Sequence, residues 1–137
     1  MRYRRLSYRF SLVLSPGEPR PLGALELAER LGVRLAQTCW RPPADVYETS
    51  TAITVTVELA GVDPEELDVW LFEDAVVVEG QRRLPPADED GVYHAAQIRQ
   101  GPFRLELALP ARIDAERVHA RSERGLLHLT LEKTEGR

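Results

Sequence analysis

Three runs of this chain alternate apolar and polar residues with a period of two. Ile53, Val55, Val57 and Leu59 interleave with Thr54, Thr56 and Glu58. Phe103, Leu105, Leu107 and Leu109 interleave with Arg104, Glu106 and Ala108, and Leu127, Leu129 and Leu131 with His128, Thr130 and Glu132. A strand sends successive side chains to opposite faces, so each run has one apolar and one polar face. That is the pattern of an antiparallel sheet with a core on one side and water on the other. Leu67, Val69 and Leu71 form a further row, Val76 to Val78 a shorter strand, and Val118 with Ala120 another. Six or seven short strands at regular spacing predict an all-β sandwich. The length of 137 residues suits one domain, not two.

The punctuation between the strands has local causes. SPGEPRP (15–21), RPP (41–43) and LPPADEDG (84–91) are dense in Pro and Gly and mark turns or linkers. In GVDPEEL, Asp63 can cap a helical turn, and Pro64 fits its first position, where a missing N–H costs nothing. Glu65 and Glu66 suit the positive end of that turn. Pro110 ends the strand before it, and Gly125 permits a tight turn into the last one. The first 40 residues read differently. Leu6, Tyr8, Phe10, Leu12 and Leu14 alternate with Ser7, Arg9, Ser11 and Val13, which predicts a strand over 6–14. Leu25, Ala28, Leu31 and Leu35 share a helical face, which predicts a short amphipathic helix over about 22–36, weakened by Gly23 and Gly32. The division is an arm (1–40), a body (41–133) and a short polar tail (134–137).

Charge follows the same division. Residues 1–40 hold seven arginines and three acids, and residues 41–137 hold eleven basic and nineteen acidic residues. A basic arm on an acidic body suggests that the arm folds on its own body or a neighbour's. With no recognisable nucleic-acid module, a nucleic-acid partner is disfavoured. No apolar run approaches the roughly 18 residues of a membrane span. The apolar stretch near the start is too short for an export signal, and Arg9 interrupts it. Cys39 is the single cysteine, which excludes an intrachain disulfide and fits a reducing cytoplasm. Beside Trp40, it reads as a small buried apolar residue rather than a catalytic thiol.

Nothing in the chain organises catalysis. His94, His119 and His128 share no ligand spacing. No Ser or Cys sits in a nucleophile elbow, and no phosphate loop or dinucleotide fingerprint occurs. DEDG (88–91) lacks the frame of a calcium loop. No enzyme activity, metal, cofactor or small-molecule substrate is expected, and the function should lie in protein binding through apolar surface.

Four stretches in order, WRPPADVYET, LAGVDPEELDV, GPFRLELALP and ARSERGLLHLTLEK, resemble the small heat-shock proteins, built on an α-crystallin domain, over residues 41–133. Gly101, Phe103, Leu109 and Pro110 match one family frame, and Ala120, Gly125, Leu126 and Leu127 another. The resemblance implies an immunoglobulin-like antiparallel sandwich and an ATP-independent holding chaperone that dimerises. In the bacterial type, a loop strand pairs with the partner subunit. Residues 83–101 have the place of that loop, with Val92 to Ile98 as its strand and Val92, Tyr93, His94 and Ile98 as dimer contacts. The apolar arm residues Leu6, Tyr8, Phe10, Leu12, Leu14, Leu25, Leu31 and Leu35 would meet clients. A groove for a neighbour's tail is expected near Val69, Leu71, Val118 and Ala120.

The chain departs from the family in four places. Ala95 and Gln97 stand where the family pairs charges across the dimer, and Leu105 stands where it often has arginine. Trp70 and Phe72 point away from the inward row on a predicted edge strand, as an adhesive spot or as a seat for the arm. No Ile-x-Ile pair follows Lys133. A dimer or small assembly is therefore expected rather than a large shell, unless segment 6–14 fills the groove. The competing function is a dedicated subunit that stabilises one specific protein complex.

Overall fold

The computed structural model describes strand residues 4–6 and 12–14 and residues 39–134. Among these, nine strands run in the order β1 (Arg4–Leu6), β2 (Leu12–Leu14), β3 (Ala44–Glu48), β4 (Ala52–Glu58), β5 (Leu67–Leu71), β6 (Ala75–Arg82), β7 (Gly101–Ala108), β8 (Ile113–Glu123) and β9 (Leu126–Lys133). They form two antiparallel sheets, β2-β1-β5-β6-β7 and β3-β4-β9-β8. The expected sandwich is present.

Each predicted row sends its apolar side chains inward. Ile53, Val55 and Val57 of β4 lie in register beside Leu131, Leu129 and Leu127 of β9. Val69 and Leu71 of β5, Val76 and Val78 of β6, and Phe103 and Leu105 of β7 close the core from the other sheet. Fully burying such a side chain stabilises by about 1.5–3 kcal/mol. Leu105, where the family often has arginine, is buried with the rest.

The turns follow their residues. Asp63 accepts a hydrogen bond from the Glu65 N–H at 3.0 Å and caps a single 3-10 turn, Pro64–Glu66. The β8–β9 hairpin turns on two residues, Arg124 and Gly125, both with positive φ (53° and 81°). That is the mirror-image turn whose twist matches paired strands. Gly125 is also pressed against Ala60, whose Cβ would lie 2.9 Å from a side chain there.

Two predictions about the arm meet the structure differently. The helix over 22–36 lies outside the described residues. The single strand over 6–14 is replaced by two three-residue strands that pair with each other antiparallel, Leu6 opposite Leu12 and Arg4 opposite Leu14. Partners across an antiparallel pair share a face. Even-numbered positions therefore stay together in either arrangement, and the alternation could not tell them apart.

Gly80 meets a constraint that the strand pattern did not reveal. It lies in β6 opposite Leu67, and a Cβ there would run into the Glu66 carbonyl oxygen and come within 2.7 Å of the Phe103 ring. Replacing Gly by Ala in a compatible backbone usually stabilises, by about 0.4–1 kcal/mol. Here Gly80→Ala should destabilise by about 1–3 kcal/mol through overpacking. A lower urea midpoint at unchanged β-sheet content is the expected result, and an equal or higher midpoint would contradict the packing.

Candidate interaction surface

The sites predicted from sequence separate into three environments. Val69, Leu71 and Val118 are buried in the main core, with Ala120 packed against it. The edge of β5 that would border a groove is not open, because β1 pairs along it. Arg4 stands opposite Leu71, Arg5 opposite Trp70 and Leu6 opposite Val69. The N-terminal segment thus adds a strand where an incoming tail would otherwise bond. Of the other arm residues singled out, Leu12 and Leu14 lie in β2, while Tyr8, Phe10, Leu25, Leu31 and Leu35 fall outside the described residues.

Trp70 and Phe72 are on the outer face, as expected, but they are not an open patch. Phe72 is buried beside Val77, and half-buried Trp70 and Ala75 pack against the pair. The outer face of β6–β7 also carries charged side chains. Arg104 reaches Glu79 at 3.2 Å and Glu106 at 3.1 Å. These partly exposed pairs contribute only tenths of a kcal/mol each.

The third environment is open surface. Residues 83–100 contain no strand, and Val92, Tyr93, His94 and Ile98 are all exposed, Val92 at 77% and Ile98 at 67%. Val46 and Tyr47 of β3 are also exposed, Tyr47 at 67%. Sequence reasoning missed this pair: Val46 and Tyr47 are adjacent in ADVYE, so the segment shows no apolar–polar alternation to mark it. In the described structure β3 pairs only with β4, so its outer edge is available for strand addition.

The residues considered for chemistry stay apart. Asp88, Glu89 and Asp90 are exposed around a turn in which the Gly91 N–H donates to the Asp88 carbonyl at 3.0 Å. Among the described residues, no three His, Cys, Asp or Glu side chains are placed to hold a metal ion. His128 lies 3.5 Å from the Thr56 hydroxyl, on the polar face of its strand. Burial pushes the Cys39 thiol up from its ordinary pKa, the Glu79 carboxylate adds to this, and Arg104 opposes it. No helix among the described residues is long and apolar enough to cross a membrane.

A second pairing went unforeseen. The Arg82 guanidinium lies 4.3 Å from the centroid of the Trp40 ring. Trp40 also packs on Phe103 at 5.3 Å, and its indole N–H donates to the Gly101 carbonyl at 3.2 Å. Nothing local marks either residue, because the two meet only through the fold.

Comparison with known proteins settles the lineage. The Hsp20/alpha crystallin family matches residues 45–137. The chain belongs to the Hsp20/alpha crystallin family. Small heat shock protein C2 of Rickettsia felis is 30% identical over 69% of this chain and 61% of its own length. Heat shock protein 16 of Schizosaccharomyces pombe is 33% identical over 69% of this chain and 67% of its own length. The match thus spans about three-fifths to two-thirds of these relatives. The solved heat shock protein 16.0 from Schizosaccharomyces pombe superposes with a TM-score of 0.64 at 32% identity, covering 70% of this chain and 89% of that one. HspA of Xanthomonas axonopodis shares the fold, with a TM-score of 0.64 over 72% of this chain and 98% of that one, at 24% identity. The sequence resemblance and the sandwich it implied both stand. Outside the matched residues, β1 lies along the edge of β5.

If β1 seals that edge in solution, deleting residues 1–20 should strip protection from amides within 69–71. Hydrogen exchange there should accelerate by about tenfold or more, while the β4–β9 amides keep their rates. Equal rates in both proteins would show that β1 is not holding the edge.

Proposed function

We propose that this protein is an ATP-independent holding chaperone that binds non-native proteins through apolar surface and works as a homodimer or small assembly. The observation that carries this reading is the family match over residues 45–137, and the exposure of large apolar side chains beside a full core supports the self-association. Val92, Tyr93 and Ile98 on the loop, and Val46 and Tyr47 on β3, all lie open. Family membership supports the chaperone function. A strand formed by Val92 to Ile98 could add to the free β3 edge of a second copy, with main-chain hydrogen bonds for affinity and alternate side chains for fit. Because Ala95 and Gln97 carry no charge, the contact rests on that backbone pairing and on Val92, Tyr93 and Ile98. Clients would meet the apolar residues of the arm, Leu6, Tyr8, Phe10, Leu12, Leu14, Leu25, Leu31 and Leu35. A reducing cytoplasm suits the single cysteine.

The alternative, a subunit dedicated to one complex, rests in part on the uncharged Ala95 and Gln97 and in part on outward aromatics and a vacant groove. Phe72 is buried, and β1 occupies the groove edge. Both observations weaken the second part of that case.

The purified protein, at equimolar subunits, should suppress light scattering by several unrelated heated enzymes without nucleotide. Failure to protect any of them would overturn the reading. Native mass spectrometry of the protein from its own cell supplies the second check, since co-purification with a single protein at fixed stoichiometry would favour the dedicated subunit. For the dimer, Ile98→Asp should weaken self-association by about tenfold or more, because it brings an unpaired charge into an apolar contact. Sedimentation at graded concentrations reads this.

A further inference from the structure

Among the described residues, Arg82 is the charged residue that the fold buries. It ends β6, opposite Gly101, on the last rung before the loop 83–100. Its Nε donates to the Arg99 carbonyl at 2.8 Å and its Nη1 to the Ala60 carbonyl at 3.2 Å. The guanidinium carbon lies over the Trp40 ring, 4.3 Å from its centroid. The nearest carboxylate, Glu58, is 4.0 Å away and half-exposed. One planar group thus ties four pieces of chain: the end of the arm at Trp40, the turn after β4 at Ala60, the end of β6, and the end of the loop at Arg99.

Burying a charge is a poor route to stability, because desolvation offsets most of the attraction, and an apolar residue of similar volume often serves folding as well. What arginine supplies here is geometry. Its rigid fork can serve two carbonyls while its face stacks on an aromatic ring, and lysine cannot do both. The atoms it fixes are main-chain atoms, so it determines where segments lie rather than neutralising a charge. The fixed segment nearest the exposed residues is Arg99, directly after Ile98.

We propose that Arg82 is a positioning residue for self-association: by clamping Arg99 against Trp40 and Ala60, it aims the exposed segment Val92 to Ile98 at a second copy. This rests on the reading that the loop makes the dimer contact. Without the clamp, the β6–β7 ladder still closes at Arg82 and Gly101, so the sandwich persists while the loop loses its direction.

The test is subunit exchange of the full chain. Unlabelled protein is mixed with protein labelled uniformly with heavy nitrogen, and the appearance of mixed dimers is followed by native mass spectrometry. Arg82→Lys and Arg82→Met should each exchange at least about tenfold faster than the unchanged chain, the effect of losing one charge-assisted hydrogen bond. Their melting midpoints should fall by no more than about 4 °C. Unchanged exchange in both variants overturns the proposal, as does a larger fall in midpoint in both, which would make Arg82 a part of the fold's own stability. Ile98→Asp separates the two readings. If it accelerates exchange and the Arg82 variants do not, the positioning role fails and the loop contact stands. If it has no effect, or the unchanged chain forms no dimer, the loop contact fails and the positioning role fails with it.

Discussion

β9 lies between β4 and β8, and its register against both decides what the rest of the molecule can be. Leu127, Leu129 and Leu131 must all face the other sheet for a core to exist. A slip of one residue would turn the whole row outward and bring His128 and Thr130 inside. The two-residue turn at Arg124 and Gly125 holds β8 to β9, and the contact of Gly125 with Ala60 holds that turn to the end of β4. The Leu59 N–H then donates to the Gly125 carbonyl at 2.8 Å. The turn therefore ties both neighbours of β9 to one alignment.

With the core assured, the four sheet edges become the variable part. β8 is an edge strand carrying Arg117, His119 and Arg121, charged or polar positions that discourage pairing. Trp40 covers part of β7, its N–H donating to the Pro102 carbonyl at 3.1 Å and its carbonyl accepting from the Arg104 N–H at 3.0 Å. β1 covers β5. The β3 edge carries Val46 and Tyr47 in the open, and it is the described edge best suited to receive another strand. Edge management and function are here one question, since strand addition is the means of association that this sandwich offers.

The sandwich was legible because its physics is local. Alternation at Ile53, Phe103 and Leu127 reports one face per strand, and Asp63–Pro64 and Gly125 announce their turns within a few residues. What stayed hidden depends on contacts between distant segments. Gly80 looks like a weak point in a strand until Glu66 and Phe103 are brought against it. Arg82 and Trp40 are separated in sequence by three strands and meet only through sheet pairing. The arm shows a third kind of limit. Its period-two pattern at Leu6 and Leu12 is the same for one strand or for two that pair, so face was readable and continuity was not. Trp70 and Phe72 were assigned to the correct face, but the cover over Phe72 had no local signature.

The loop between β6 and β7 has a further consequence. Its backbone leaves the sandwich at Arg82 and rejoins it at Gly101, and residues 85–100 are exposed throughout. The entropy of closing such a loop grows only with the logarithm of its length, about 0.6 kcal/mol per doubling. Insertions or deletions there would leave the packed layers almost untouched while altering how far the loop reaches. Related chains could thus diverge in which copies they recognise, and mixed assembly between co-expressed paralogues could be lost, without any change to the interior.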